Sequence, residues 1–452
     1  MTVALTGDSA AFVRTAEEIG GVLTREAVWH TNQCTWMGVV PDEGGRSGSG
    51  GLTYAPLSLD LYGGTAGVAW FLAALYAVTR EPQLRQTALG AIRHALARAD
   101  TLPPHGRLGL FTGWGGMALA AAHLGTLLSE DALLEHAARL VRRLAAEEAD
   151  ATEFDLLSGR AGAIAALVIL RDILNDAQPL ELAVRLGDEL SRSAVNADGG
   201  LSWPGPGAPR GRNLTGFSHG AAGAGYALLE LYGATGDERY RASVNRTFGY
   251  ERRWFDAGAR NWPDFRQIRS RRTQSSRLAA FATTWCHGAP GIALSRLRAV
   301  ELTGDEDCRH EAQVALKTTR QVIERSARAG KANWSLCHGL AGNAEVLFIG
   351  REVLGKRWDG LAALAREVAY GGIERYAKRG HAWPCGARGE TPNLMLGLAG
   401  IGYFYLRLAN PAIPSILLLK REAFGRGLSE DCRATSSTRR AKTEGLRRSA
   451  ST

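Results

Sequence analysis

The chain has 452 residues, 45% hydrophobic and 22% charged, so it can bury a large core and is too apolar for a globally disordered protein. Its 55 glycines show no Gly-x-y period and its prolines number 15, which excludes collagen and a Pro-rich linker protein. The net charge is +9, but residues 420–452 hold nine Lys/Arg against four Asp/Glu, or +5, leaving +4 for the rest and a weak basis for binding nucleic acid.

Residues 10–28 read as an amphipathic helix. A Gly-x-x-Gly element, Gly64/Gly67, then opens an apolar helix over 65–78, followed by an amphipathic one over 84–99. The same unit recurs along the chain. Gly113/Gly116 precedes helices over 114–128 and 131–149, and Gly159/Gly162 precedes 161–174 and 179–195. Gly220/Gly223 precedes 221–234 and 237–253, and Gly288/Gly291 precedes 289–302 and 305–329. Gly339/Gly342 precedes 340–353 and 358–378, and Gly397/Gly400 opens a last apolar helix over 398–409. A single Gly-x-x-Gly is weak evidence; seven, each entering the same kind of segment, define a repeat.

Helices that are apolar all round are buried, and amphipathic ones cover them. Seven of each predict an all-α protein in the form of an α/α toroid: an inner ring of seven helices inside an outer ring of seven. An open solenoid is the alternative, but closure leaves no exposed end repeat. One domain is expected over residues 1–419, with 420–452 a basic, disordered tail rich in Ser and Thr. The polar stretch 255–283 reads as a solvated loop or as a lid over the ring mouth.

Six cysteines do not make a disulfide scaffold, and the N-terminus lacks the basic start and apolar run of a secretory signal. No run of 18 apolar residues argues for membrane insertion. A cytoplasmic protein is expected.

The repeats align polar residues with one another. Just before the first glycine stand His219, His287 and His338 in repeats four to six, and one residue earlier Ser218, Cys286 and Cys337. If the inner helices run the same way, these side chains gather at one end of the ring. Cys286, Cys337 and His338 then form a three-ligand set for Zn2+, leaving a fourth position for water or substrate. The competing reading is a pair of inert buried thiols. His287 either orients a ligand or substrate, or packs as a hydrogen-bonded histidine. His219 lacks a neighbouring cysteine and suits a proton shuttle. Asp155, three residues before Ser158 in the histidine register of repeat three, orients an imidazole, anchors a turn, or does both. Cys34, Cys308, Cys385 and Cys432, and the histidines at 30, 94, 105, 123, 136, 310 and 381, have no such register. Trp114, Trp285 and Trp334 flank motifs, with core packing the default.

The segments FDLLSGRAG, GFSHGAAG, WCHGAPG and WSLCHGLAG resemble the motifs of the lanthionine synthetase C-like cyclases, from about residue 10 to 419. The ending PNLMLGLAGIGYFYLRLANPAIPSILLL resembles the cyclase domain of class II lanthipeptide synthetases. The resemblance implies zinc at Cys286, Cys337 and His338, and acid–base or positioning roles for His219 and Asp155. It implies addition of peptide cysteine thiols to dehydroalanine or dehydrobutyrine, giving lanthionine or methyllanthionine rings. The expected partner is a dehydrated precursor peptide. With no dehydratase region ahead of the cyclase region in this sequence, either a separate protein carries out dehydration, which is the expected partner, or the chain is a divided or partial synthetase. Two alternatives remain at this stage: a related enzyme that adds a small thiol such as glutathione to dehydroamino acids in proteins, and a non-catalytic, zinc-containing peptide-binding protein. Some stand-alone cyclases carry an arginine four residues before the first zinc cysteine, where this chain has Ala282.

Overall fold

A computed structural model describes residues 7–41, 52–147, 153–197, 199–205, 212–266, 281–329, 332–386 and 389–425. The inner helices are α2 (Thr65–Thr79), α4 (Trp114–Leu128), α6 (Arg160–Leu174), α8 (Ala221–Thr235), α10 (Ala289–Thr303), α12 (Leu340–Leu354) and α14 (Leu398–Ala409). The outer helices are α1 (Gly7–Glu26), α3 (Pro82–Ala97), α5 (Asp131–Ala146), α7 (Gln178–Ser193), α9 (Glu238–Arg253), α11 (Glu306–Ala329) and α13 (Asp359–Gly372). Each inner helix packs on the next, and α14 packs back onto α2, so the ring closes. Each outer helix backs one inner helix, with α1 covering α14. The fold is the expected α/α toroid.

Closure is also visible in the backbone. The residue two before each first glycine sits at the same point of the rim, and its neighbours join it by hydrogen bonds. Tyr62 N donates to Phe111 O (2.9 Å), Phe111 N to Leu157 O (2.9 Å), Leu157 N to Ser218 O (3.3 Å) and Ser218 N to Cys286 O (3.1 Å). Trp285 N donates to Cys337 O (2.9 Å), Cys337 N to Met395 O (2.9 Å) and Met395 N to Tyr62 O (3.0 Å). This circuit satisfies loop amides that burial at the rim would otherwise orphan. It also holds all seven loops at one height.

The second glycine of each pair permits a close approach. A Cβ at Gly116 would lie 1.6 Å from Leu110 O, so no other residue fits without displacing the loop. Gly288 has the further demand of φ 83°, a left-handed conformation that glycine adopts without strain.

The inner helices do carry charges, each with a partner. Arg298 bonds Glu230 (2.5 and 3.1 Å), Arg296 pairs with Glu251 (3.0 Å) and Arg407 with Glu345 (3.4 Å), as buried charge requires. Residues 411–419 enter the lumen beyond α14, burying Ile413, Ile416, Leu417, Leu418 and Leu419. Tyr403 Oη donates to Pro414 O (2.6 Å), Trp285 Nε1 to Leu417 O (3.0 Å) and Tyr226 Oη to Leu419 O (2.5 Å). The segment leaves again toward the C-terminal ends of the inner helices, where Arg298 meets Glu422 (3.0 Å) in the short helix α15 (Glu422–Gly425). The lumen is thus filled beneath the rim, and the rim is the open end.

The strands were not foreseen. Three antiparallel hairpins pair β1 (Val28–His30) with β2 (Gln33–Thr35), β3 (Met37–Pro41) with β4 (Leu52–Pro56), and β5 (Val195–Ala197) with β6 (Gly200–Ser202). They are short ribbons laid over the helices, too brief to show a period-2 pattern against the helical repeat. The final outer helix also ends earlier than its pattern suggests, passing into a π turn at Ile373–Ala377. Lys420 and Arg421, within the stretch expected to be tail, pair with Glu301 (2.7 Å) and Asp172 (3.5 Å). Residues 426–452, and 267–280 of the lid or loop stretch, lie outside the described residues.

Candidate metal centre

A common turn leads into the inner helices. In five repeats the side chain four residues before the first glycine accepts the backbone N–H of the residue just before that glycine. The bonds run from Gly63 N to Asp60 Oδ1 (2.7 Å), Ser158 N to Asp155 Oδ1 (2.7 Å) and His287 N to Thr284 Oγ1 (3.2 Å). Those of His338 N to Ser335 Oγ (3.3 Å) and Leu396 N to Asn393 Oδ1 (2.9 Å) complete the set. Short polar side chains cap such turns well. The turn fixes the two rim positions at which the cysteines and histidines stand.

Cys286, Cys337 and His338 come together as predicted. One donor atom from each lies within 4.8 Å of the others, and they form the single such grouping found among the described residues. Cys337 is buried, while Cys286 and His338 are half-buried and face the open rim. Thr284 Oγ1 lies 3.3 Å from Cys286 Sγ. A bond to Cys337 pulls the Cys286 thiol well below its usual range against burial, with His338, His287 and Thr284 assisting. The same bond, together with burial, pushes Cys337 up. By contrast, burial pushes Cys34, Cys308 and Cys385 up to about 12, which fits inert core thiols.

The donor set suits zinc. Two Zn–S bonds of about 2.3 Å at a tetrahedral angle put their sulfurs roughly 3.8 Å apart, inside the observed 4.8 Å limit. Three protein donors would leave one of the four positions zinc usually takes for another ligand. Two soft sulfurs do not suit magnesium or calcium.

Asp155 holds His219. Its Oδ1 accepts Ser158 N, Ser158 Oγ (3.0 Å) and Gly159 N (3.1 Å), and its Oδ2 lies 2.5 Å from His219 Nδ1. Turn anchor and imidazole partner are thus both seen in one carboxylate, which is 3% exposed. The His219 ring lies 5.9 Å from that of His287, the two planes inclined at 30°. His287 is fully buried, with neither ring nitrogen hydrogen-bonded. Burial holds it below the usual imidazole range.

Several neighbours of the cluster escaped the sequence reading. Asp264 Oδ1 stands 3.8 Å from His287 Nδ1 and is gripped by Arg266 through Nε (3.0 Å to Oδ1) and Nη2 (2.7 Å to Oδ2). Burial opposes ionisation of Asp264, but the Arg266 fork and His287 hold it below the usual carboxylate range. The Arg266 cation also feels both cluster thiols. Arg266 thus brings a positive charge toward the centre, while position 282 itself is an alanine. Nothing in residue spacing marks Asp264 or Arg266. Tyr62, joined through Met395 to Cys337 by backbone hydrogen bonds, had a signal: it occupies the cysteine register of repeat one. Trp114, Trp285 and Trp334 are buried and pack in the core.

An α/α toroid with a thiol–imidazole cluster on its open rim defines a class of ring-shaped proteins with a metal-type centre. Residues 55–418 match the family described as Lanthionine synthetase C-like protein, and the chain belongs to that family. Among curated relatives, the Lacticin 481/lactococcin biosynthesis protein LcnDR2 of Lactococcus lactis subsp. lactis is 25% identical over 201 residues. That match spans 43% of this chain and 20% of the relative's length. The solved structure of Nisin cyclase superposes with a TM-score of 0.59 at 17% identity, covering 93% of this chain and 98% of its own. It supports the shared fold.

Proposed function

We propose that the protein is a zinc-dependent lanthipeptide cyclase, forming thioether rings by adding peptide cysteine thiols to dehydroalanine or dehydrobutyrine. The observation that carries this reading is the Cys286/Cys337/His338 cluster on the same open rim as the Asp155–His219 pair. Family membership and the fold shared with Nisin cyclase support it.

In this reading Cys286, Cys337 and His338 hold the zinc ion. When bound, zinc supplies a Lewis acid that favours the thiolate of an incoming thiol, whose free pKa is about 8.5. Asp155 fixes the ring of His219 and keeps Nδ1 occupied, so that Nε2 is the nitrogen that handles protons. His219 takes the thiol proton and returns it to the α-carbon once sulfur has bonded to the β-carbon. The C=C electron pair moves first to the acyl oxygen and then to the new C–H bond. Every atom of the peptide is retained, so its mass does not change. The filled lumen confines the peptide to the rim and raises the effective concentration of one end for the other. The substrate is a dehydrated precursor peptide. Free ligand and substrate thiols suit a reducing cytoplasm, and no described helix is long and apolar enough to cross a membrane.

The test is to incubate zinc-loaded protein with a dehydrated precursor and follow free thiols and peptide mass. Faster thiol loss than in the metal-free control, at unchanged mass, is expected. With glutathione present, a mass gain of one glutathione per addition would replace this reading by small-thiol transfer. Binding without thiol loss would replace it by a peptide-binding role.

A further inference from the structure

A cleft of about 750 Å³ opens on the outer wall between α5 and α7. Its α7 side is one helical face, with Leu182, Arg185, Leu186, Glu189, Arg192 and Ser193 at the three- and four-residue spacings that align side chains. Across from it stands the last turn of α5, from Leu144 to Ala146. Arg107, Glu153 and Arg160 close the end nearest the rim, since they lie in or beside the loops that enter inner helices. Arg160 N and Nη1 both donate to Glu153 O (3.1 Å each), so this end of the cleft backs the turn on which Asp155 holds His219. The carboxylates of the cleft are engaged: Glu147 accepts from Arg107 (2.7 Å), Glu153 from Gly106 N (3.2 Å) and Glu189 from Arg160 (3.1 Å). Arg185 donates to a carbonyl, that of Ala145 (3.0 Å). Among the described residues neither Arg185 nor Arg192, both exposed, pairs with a carboxylate.

We propose that this cleft docks an acidic segment of the peptide substrate, held there while cysteines elsewhere in the same peptide reach the metal rim. That the peptide is the substrate rests on the cyclase reading; that the cleft takes an acidic segment rests on the cleft alone. Arg185 and Arg192 stand two helical turns apart, about 10.5 Å along the axis. Two carboxylates of a short peptide can therefore meet both arginines while its apolar side chains lie over Leu144, Leu182 and Leu186. The same walls carry three carboxylates, which disfavour a polyanion such as nucleic acid, whose phosphates need cations along their whole length. A peptide of mixed acidic and apolar character fits the cleft instead. A segment held here makes delivery of the reacting part an intramolecular event, as a linker does between two binding sites.

The test reads fluorescence anisotropy of the dansyl-labelled peptide Glu-Leu-Glu-Glu-Leu-Glu, with Gln or Lys in place of Glu in two comparison peptides. Wild-type protein is expected to bind the Glu peptide saturably, the Gln peptide more weakly and the Lys peptide not at all, with affinity falling as salt rises. Arg185→Glu/Arg192→Glu is expected to weaken binding of the Glu peptide at least about fivefold. Lys356→Glu/Arg357→Glu, the same charge change on an exposed turn elsewhere, is expected to leave it unchanged. If the cleft variant does not fold, Arg185→Gln/Arg192→Gln is read in its place, with a loss of about twofold or more expected. In ring closure of a dehydrated precursor with an acidic segment, the cleft variant is expected to raise KM and keep kcat. No saturable binding of the Glu peptide, equal binding of the Lys peptide, wild-type affinity in a folded cleft variant, or an equal loss in the control variant overturns the proposal. A fall in kcat at unchanged KM overturns the assignment of the cleft to the substrate. Binding that follows the cleft arginines in a protein that closes no rings overturns the cyclase reading and leaves the acidic-peptide site standing.

Discussion

Asp155→Asn separates the two tasks of one carboxylate. Asparagine keeps an acceptor oxygen for Ser158 N, Ser158 Oγ and Gly159 N, so the turn before α6 survives and the melting temperature should change little. The other oxygen, 2.5 Å from His219 Nδ1, becomes an NH2 donor. Nδ1 must then accept, the proton is forced onto Nε2, and the atom assigned to take the thiol proton is already protonated. Loss of a charge-assisted hydrogen bond is about 1.5–3 kcal/mol, or roughly 10- to 150-fold in rate. Failure of acid–base catalysis raises the expected fall to about 10²- to 10³-fold. Bound zinc, measured by elemental analysis, should stay at the wild-type level, because Asp155 touches no ligand. Asp155→Ala should add instability, since three donors at the turn lose their acceptor at about 1 kcal/mol or more each. Ring closure is followed by thiol loss and by mass spectrometry of the dehydrated peptide. A folded, zinc-replete Asp155→Asn protein closing rings at the wild-type rate would refute the role given to the Asp155–His219 pair.

Arg266→Ala should slow ring closure about tenfold, on the order of one charge-assisted contact, and Arg266→Lys should restore it in part at most, because lysine cannot reproduce the two-pronged grip on Asp264; steady-state rates of both variants check this. Gly116→Ala should prevent folding or cost several kcal/mol (roughly 3 or more), since its Cβ would lie 1.6 Å from Leu110 O; chemical denaturation measures it. His123, packed against Trp70 at 4.4 Å and Phe424 at 5.2 Å, is lowered by burial to about 3 from 6.5. Between those values the unfolded chain binds a proton that the folded chain refuses, so stability falls as pH drops below about 6.5, by about 1.4 kcal/mol per pH unit. His123→Phe should flatten that part of the stability–pH profile relative to wild type, and equal slopes would count against the assignment.

Most of the toroid was legible in the sequence because its physics is repetitive. The second glycine of each pair is demanded by a carbonyl that lies where a Cβ would be, and the same demand recurs at Gly116, Gly342 and Gly400. The apolar helices that follow are read from composition, and alternation with amphipathic helices sets their partners. The zinc-type cluster was legible for the same reason: Cys286, Cys337 and His338 share a register, and the backbone circuit holds that register at one height. The hairpins were not legible. They follow helices α1 and α7 in short stretches such as 28–35, where a two-residue alternation has no room to emerge. Asp264 and Arg266 were not legible either, since they lie in the irregular chain between α9 and α10 and reach the centre through tertiary packing alone.

The turn anchors show how far a register argument can be pushed. Asp60, Asp155, Thr284, Ser335 and Asn393 stand at one spacing and do one structural job. Asp60 spends its second oxygen on Ser58 (2.6 Å), while Asp155 spends it on His219. Identical residues at identical positions thus differ in consequence because of what the next repeat presents to them: His219 follows repeat three around the ring, whereas Thr112 stands in that register after repeat one. In a closed ring of similar loops, the backbone makes every rim position equivalent, and chemistry arises where neighbouring repeats place complementary side chains. The arc from repeat three to repeat six is where this rim does so, pairing Asp155 with His219 and grouping Cys286, Cys337 and His338.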